Sequence, residues 1–288
     1  MTTVGESASP TVTRGQTTAL VLATLGFAVN FWAWALLSPL GPVYKELLGL
    51  TPFEVSVLVA VPVIVGSLGR VPLGALTDRY GGRLVFGVTS LLGVVPVIFL
   101  ALVENYPALL AGGFALGLTG ATFAIGVPFV NGWYPPERRG LALGVFGMGN
   151  IGTAISGFAT PWLAETYGRA VPFVVVAVAL IIIGLAFLAI GRDAPAHRAA
   201  TEPFLTRFLA AARLRATREL ALMYALTFGG FVAFGVYLPL YLREVYGLST
   251  ADAAARAAGF VVLATVARPV GGWMSDRWGG IPVLSGSL

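Results

Sequence analysis

The residues of this sequence best suited to chemistry are two arginines that stand inside apolar segments. Arg70 is the one charge in "VPVIVGSLGRVPLGAL", and Arg268 follows "FVVLATVA". A guanidinium stays protonated in proteins, and placing it at the centre of a lipid-spanning helix costs about 2.5 to 3.5 kcal/mol. Because neither stretch contains a carboxylate or a histidine, the pair predicts a site that binds an anion.

The two arginines belong to an internal duplication. "GRVPLGALTDRYGG" (69–82) and "ARPVGGWMSDRWGG" (267–280) superimpose with an offset of 198 residues, and the same offset matches Gly49 to Gly247. In each copy the arginine precedes an aspartate by eight residues, which is about 12 Å of helix rise. Both guanidinium groups are therefore expected at the same depth, on opposite sides of one cavity. Internal repeats with a midplane site are typical of secondary transporters.

The elements that must position these residues are membrane-spanning helices. The 288 residues are 57% hydrophobic and only 11% charged, whereas soluble domains carry about 25% charged residues. Apolar runs of about 20 residues cross a hydrocarbon core. Such runs predict eight spans, at 17–40, 53–76, 84–103, 107–130, 140–163, 170–190, 219–241 and 254–274. The predicted fold class is an all-α membrane protein.

Charge indicates the orientation and excludes several classes of function. Most of the 18 Lys and Arg residues fall in loops on the side of the N-terminus, while Lys45, Arg169, Arg243 and Arg256 fall on the other. This bias predicts a multi-pass protein of the cell (inner) membrane with a cytoplasmic N-terminus. The net charge of +5 then indicates membrane lipid, not nucleic acid, as the partner of the basic loops. With no catalytic triad, metal-ligand cluster or phosphate-binding loop, the sequence predicts no enzyme, metal or cofactor.

Three motifs carry a resemblance to a known family. "GALTDRYGGR" is similar to the loop between helices 2 and 3 of the major facilitator superfamily, and "WYPPERRGLALG" resembles its loop between helices 4 and 5. "ALGVFGMGNIG" (142–152) is similar to the glycine-rich helix 5 signature of the nitrate/nitrite porter family. Between Ala-Leu-Gly and Gly-x-Gly-Asn, this motif has one residue fewer than the family signature. The missing residue rotates Asn150 by about 100° unless a local helix distortion absorbs the change.

The resemblance also implies a division of the chain into domains. It predicts a cytoplasmic tail (1–16), a six-helix bundle (17–191), a basic linker (192–218) and a partial second bundle (219–288). Subtracting the repeat offset of 198 places Leu288 at the equivalent of Ser90. We therefore expect eight of the family's twelve helices, as a fragment or as a truncated gene product.

The resemblance implies specific site residues. Nitrate and nitrite are small and planar, so two guanidinium forks can bind their oxygens while aromatic walls exclude water. The implied substrate-binding residues are Arg70, Arg268, Asn150, Tyr224, Phe31, Phe123 and Phe228. Asp78, Arg79, Arg83, Asp276 and Arg277 are the implied gating residues, and Gly144, Gly147, Gly149 and Gly152 the implied helix-packing residues.

The resulting hypothesis is a secondary active transporter that moves nitrate, nitrite or both by alternating access. Exchange of nitrate for nitrite is favoured over proton symport because the spans hold no interior carboxylate or histidine to carry a proton. Two alternatives remain open, namely a small organic anion transporter of the same superfamily and a truncated membrane protein that does not transport. The sequence gives no indication of oligomeric state.

Overall fold

The computed structural model describes residues 13–195, 198–202 and 204–287, and within these ranges every regular element is a helix. The α-helices are α1 (Arg14–Trp34), α2 (Leu37–Leu48), α3 (Pro52–Tyr80), α4 (Gly82–Leu102), α5 (Tyr106–Leu116), α6 (Thr122–Trp133), α7 (Arg139–Gly147), α8 (Ile151–Tyr167), α9 (Val171–Ile190), α10 (Phe204–Arg213), α11 (Arg215–Tyr246), α12 (Thr250–Trp278) and α13 (Gly280–Ser287). The predicted all-α class is confirmed. Of the predicted tail, residues 1–12 lie outside the described ranges.

Seven helical segments of the described chain are long and apolar enough to cross a membrane. They are Arg14–Leu48, Pro52–Tyr80, Gly82–Leu102, Tyr106–Trp133, Pro136–Tyr167, Val171–Ile190 and Ala255–Trp278. Each overlaps one predicted span. The eighth predicted span, 219–241, lies inside α11, which is not among the seven but is 32 residues long. At 1.5 Å per residue, α11 is about 48 Å long and exceeds the thickness of a hydrocarbon core.

The duplication is visible in the backbone. Gly49 and Gly247, which are 198 residues apart, end α2 and α11 in the left-handed conformation with φ of 63° and 64°. Gly81 and Gly279 end α3 and α12 with φ of 87° and 90°. A residue with a Cβ is strained at positive φ, so both copies need glycine at these turns. The matched turns support the view that the two segments are structural repeats.

Three of the spans are broken near their middle. α1 gives way to α2 at Ala35, α5 continues through a 3-10 turn (Gly117–Ala121) into α6, and α7 continues through a 3-10 turn (Met148–Asn150) into α8. Trp34 occupies the space at the first break, where its indole N–H donates to the Pro62 carbonyl at 2.8 Å. A Cβ at Gly120 would lie 2.5 Å from that nitrogen. Small residues thus let the broken helices approach closely.

Two buried clusters hold α1 to α9 together. One surrounds Phe27, Phe86, Phe146 and Phe187, and the other consists mainly of leucines from α2 to α5 with Phe173 of α9. The outer faces of the same helices expose large apolar side chains, as lipid contact requires. α12 lies directly against α7, so the second copy of the repeat contacts the six preceding spans.

Candidate functional site

The two arginines lie on one aromatic surface between the repeats. The guanidinium carbon of Arg70, on α3, is 5.0 Å from the ring centroid of Phe228 and 5.8 Å from that of Phe123. The guanidinium carbon of Arg268, on α12, is 5.4 Å from the ring centroid of Phe231. These distances are typical of cation–π contacts, which contribute about 0.5 to 2 kcal/mol. Aromatic rings therefore hold both cations in place.

The rings form a continuous series that joins α6 to α11. Phe123 stacks on Tyr224 at 6.1 Å, Tyr224 on Phe228 at 5.1 Å, and Phe228 on Phe231 at 6.2 Å between centroids. Positions 224, 228 and 231 share one face of α11 because helical neighbours are three or four residues apart. The Tyr224 hydroxyl lies near both Arg70 and Arg268. One face of α11 thus presents Tyr224 to both arginines, Phe228 to Arg70 and Phe231 to Arg268.

Both guanidinium groups retain an unpaired donor. The Nε atoms of Arg70 and Arg268 are buried and have no hydrogen-bond partner among the described residues. Nor does either arginine form an ion pair within that part of the chain. A buried donor without a partner costs about 1 to 3 kcal/mol, and more when charged. The arrangement is therefore suited to a small ligand that brings negative charge and acceptor oxygens.

Asn150 lies at the end of the 3-10 turn that separates α7 from α8. This turn is the kind of local distortion that can absorb the missing residue of the signature. The amide nitrogen of Asn150 donates to the Gly147 carbonyl at 3.0 Å, and the side chain is fully buried. Its Oδ1 has no hydrogen-bond partner among the described residues. Gly147 in turn adjoins Arg268, so the turn brings Asn150 to the neighbourhood of one arginine.

Phe31 lies one layer behind the ring surface. It is fully buried between Phe27, at 4.2 Å, and Trp34, at 4.9 Å between centroids. Phe27 separates it from Phe123, which is 5.5 Å from Phe27. The structure therefore brings Phe123 and Phe228 to Arg70 but places Phe31 behind them. Phe31 can act on the site by supporting Phe27.

The signature glycines face two different helices. Gly144 and Gly147 face α12, where a Cβ would lie 2.5 Å from the Arg268 carbonyl oxygen and 3.0 Å from Arg268 Cδ, respectively. Gly149 and Gly152 face α1, where a Cβ would meet the Phe27 side chain and the Ala28 backbone. The 3-10 turn at Met148–Asn150 marks the change of face. The first pair of glycines brings α12 close enough for Arg268 to reach the site.

Sequence reasoning missed several contacts around Arg268. Phe231 is its aromatic neighbour. The sequence feature that could have identified Phe231 is its position three residues after Phe228, on the same face of a helix. Gly140 and Gly272 also meet backbone to backbone at the α7–α12 contact. Their signal was weaker, because glycines are common throughout this chain.

The two repeated aspartates have different partners at the end of the bundle where α3 and α12 terminate, which we call the Asp78 end. Asp276 accepts hydrogen bonds from the backbone N–H groups of Gly140 and Leu141, both at 2.7 Å, and so caps α7. Asp78 instead pairs with Arg207 of α10 at 2.7 Å. A carboxylate at a helix N-terminus is stabilised by the helix dipole and by unpaired N–H groups. Asp276 therefore fastens α12 to α7.

The three arginines predicted to act in gating contact their own surroundings. Arg79 and Arg277 lie over Tyr80 and Trp273 of their own helices, at 5.3 and 5.7 Å from the ring centroids. The backbone N–H of Arg83 donates to Asp193 at 2.9 Å, and its side chain donates to the Leu188 carbonyl. Arg83 thereby joins α4 to the end of α9.

A cavity of about 290 Å³ lies between the six preceding spans and the pair α11 and α12. Val63 and Val261 both line it, and they are equivalent in the repeat, each seven residues before its arginine. Seven residues are about 10 Å of helix. The cavity therefore lies on the side of the arginines away from the Asp78 end. Its walls are mainly apolar, with Ser38 and Thr153 among the polar exceptions.

Comparison with known proteins shows the family. Residues 23–288 match the sequence profile of the Major Facilitator Superfamily. The chain belongs to the Major Facilitator Superfamily. A solved bacterial homologue of the human lysosomal transporter Spinster, in an inward-facing and occupied conformation, superposes with a TM-score of 0.65 at 19% identity, over 92% of this chain and 62% of that one. The likeness to the Spinster homologue shows the shared fold.

Relatives with higher sequence identity support the narrower resemblance to nitrate/nitrite porters. The chain is 48% identical over 267 residues to the "Probable nitrate/nitrite transporter NarK2" of Mycobacterium tuberculosis, covering 92% of this chain and 68% of that protein. It is 38% identical to the "Nitrite extrusion protein" of Bacillus subtilis over 92% of this chain and 67% of that relative. It therefore spans about two thirds of their length. These names describe transport proteins, in agreement with the prediction that the chain is not an enzyme.

Proposed function

We propose that this chain forms the nitrate- and nitrite-binding part of a secondary transporter. The observation that carries the proposal is the pair of guanidinium groups on one aromatic surface, each with a buried unpaired Nε and without an ion pair in the described part of the chain. The names of the Mycobacterium and Bacillus relatives support the same substrates. Nitrate and nitrite suit such a site because both are planar anions that accept hydrogen bonds at several oxygens.

The mode of binding follows from the donors available. Arg70 approaches from α3 and Arg268 from α12, so an anion between them receives hydrogen bonds from both repeats. The Tyr224 hydroxyl adds a donor near both cations. Phe123 and Phe228 cover the guanidinium of Arg70 and exclude water, which strengthens the charge interaction. Asn150 and Phe31 support this arrangement from the second layer.

Alternating access is proposed to occur between residues 17–191 and residues 219–288, joined by the linker 192–218. In this proposal the N-terminus is cytoplasmic, so the Asp78 end faces the cytoplasm and the cavity lies on the other side of the arginines. The contact of α7 with α12 and the Asp276 cap close the cytoplasmic side. Exchange of nitrate for nitrite fits the absence of carboxylate and histidine partners for Arg70 and Arg268 among the described residues, since such a partner is the usual proton carrier.

Replacing either arginine with lysine tests the proposal. Arg70→Lys and Arg268→Lys keep the charge but lose the planar fork. Losing one charge-assisted hydrogen bond weakens binding by about tenfold to a hundredfold. We expect calorimetric titration of the purified chain to show this loss for nitrate and nitrite. Arg256→Lys, at an exposed ion pair with Asp252, is the matched control and should bind normally.

Two results would overturn the proposal. Unchanged nitrate affinity in both lysine variants would show that the arginines do not form the site. Tighter binding of formate or acetate than of nitrate would instead favour a small organic anion as the substrate. Nitrate-dependent nitrite counterflow in proteoliposomes then measures whether binding leads to transport.

A further inference from the structure

The helix α10 exposes an apolar face although it is too short to cross a membrane. Its ten residues give a length of about 15 Å, half the thickness of a hydrocarbon core. Phe204, Leu205, Phe208 and Leu209 are between 42% and 62% exposed. The rings of Phe204 and Phe208 are 5.7 Å apart between centroids, so they point the same way. Because α10 does not span the membrane, the lipid tails that surround the spanning helices do not by themselves explain why this apolar face is exposed.

Two contacts fix the position of α10 relative to the membrane-spanning helices. The backbone N–H of Ala200, just before the helix, donates to the Asp78 carbonyl at 3.0 Å. Arg207, within the helix, pairs with the Asp78 carboxylate at 2.7 Å. Asp78 lies in the last turn of the span Pro52–Tyr80. The helix is therefore held at the level where α3 leaves the apolar layer.

Charge surrounds the apolar face. At about 100° per residue, Phe204, Phe208, Leu205 and Leu209 occupy a continuous arc, with Arg207 beside one edge and Arg213 beside the other. The linker 192–218 contains six arginines against only Asp193 and Glu202 as acids. A second copy of the same face would bring like charges together, which disfavours pairing between copies. An apolar arc flanked by cations instead complements the surface of an anionic bilayer.

We propose that α10 is an interfacial helix that binds anionic phospholipid in the leaflet next to the Asp78 end. Phe204, Leu205, Phe208 and Leu209 enter the boundary between headgroups and acyl chains. Arg213 contacts lipid phosphate, and the Arg207–Asp78 ion pair sets the rotation of the helix so that the apolar arc faces the bilayer. This inference does not depend on the proposed transport of nitrate and nitrite.

Spin labels at single cysteines test the proposal, because the chain has no native cysteine. Leu209→Cys places a label on the apolar arc, and Ala210→Cys places one on the opposite side as the matched control. The 288-residue chain is reconstituted in bilayers of phosphatidylcholine alone or with phosphatidylglycerol. We expect the label at position 209 to become accessible to oxygen and protected from a water-soluble relaxation agent only in the anionic bilayer. The label at position 210 should stay exposed to water in both.

A charge variant separates lipid binding from other kinds of burial. One basic residue near an anionic surface changes the bound-to-free ratio about fivefold, so Arg213→Gln should lower the buried-to-exposed ratio of the label at position 209 by that factor. Arg256→Gln should not change it. Equal burial in neutral and anionic bilayers would overturn the proposal, because burial of the apolar arc would then not depend on anionic lipid. Protection from the water-soluble agent without a gain in oxygen access would overturn it in favour of a protein occupant. Burial induced by inorganic phosphate alone would overturn it in favour of a free-anion site, and exposure in both bilayers would exclude any occupant.

Discussion

Removing the Asp276 cap tests how strongly the two repeats are held together at the Asp78 end. Asp276→Ala removes both hydrogen bonds to the backbone N–H groups of Gly140 and Leu141, each 2.7 Å long. Loss of a capping side chain costs about 0.5 to 2 kcal/mol, and loss of a charge at a helix N-terminus about 0.3 to 1 kcal/mol. The sum of about 1 to 3 kcal/mol corresponds to a shift of about fivefold to 150-fold toward separated α7 and α12.

Distances between spin labels measure this shift directly. Glu137→Cys and Ile281→Cys place labels at exposed positions before α7 and on α13, on the two sides of the contact. We expect Asp276→Ala to increase the population with a long distance between labels. Asp276→Asn should have a smaller effect, because asparagine still accepts a hydrogen bond at a helix N-terminus.

The equivalent aspartate of the first repeat is the control. Asp78 pairs with Arg207 of the linker and not with α7, so Asp78→Ala should leave the distance between these labels unchanged. An unchanged distance distribution in Asp276→Ala would show that the cap does not hold α7 to α12. Equal widening in Asp78→Ala would show that the effect comes from charge at this end and not from the cap.

Two further predictions concern the contacts of Arg268. Gly144→Ala should lower the unfolding temperature by several degrees, because overpacking costs about 1 to 3 kcal/mol and the new Cβ would lie 2.5 Å from the Arg268 carbonyl oxygen. Gly157→Ala should not lower it, because no atom of the described residues lies within 4 Å of its Cβ. Equal unfolding temperatures of the two variants would contradict this expectation. Phe231→Leu should weaken nitrate binding in calorimetric titration, because it removes the ring next to Arg268. Phe234→Leu, at an exposed position, should leave nitrate binding unchanged. A larger loss of affinity in Phe234→Leu than in Phe231→Leu would exclude Phe231 from the site.

Much of the fold was predictable because it depends on local sequence. Apolar runs of membrane-spanning length locate the helices, and the repeat offset matches the glycine turns at Gly81 and Gly279. The same offset matches Arg70 on α3 to Arg268 on α12. Such features need only the geometry of a single helix or turn. The sequence therefore sufficed to predict an all-helical membrane protein with two arginines in its interior.

Some of the site residues could not be assigned by the same means. Phe31 and Phe123 are both aromatic residues in spanning helices, but only Phe123 contacts Arg70, because Phe27 stands between Phe31 and the site. No periodicity within α1 indicates which neighbouring ring will lie in front. Residue type thus predicted that aromatic side chains surround the site, whereas which of them contact the arginines depends on helix packing.

The sequence by itself determined the membrane-spanning segments and the duplication that matches Arg70 to Arg268 and Asp78 to Asp276, because both follow from chain-local spacing. Only the tertiary structure decided their partners. Asp78 and Asp276 occupy equivalent positions in nearly identical motifs, yet one pairs with Arg207 and the other caps α7. The physical reason is that a helix end or an aromatic ring binds the group that packs against it in the folded chain. Which group packs there depends on contacts between residues more than a hundred positions apart.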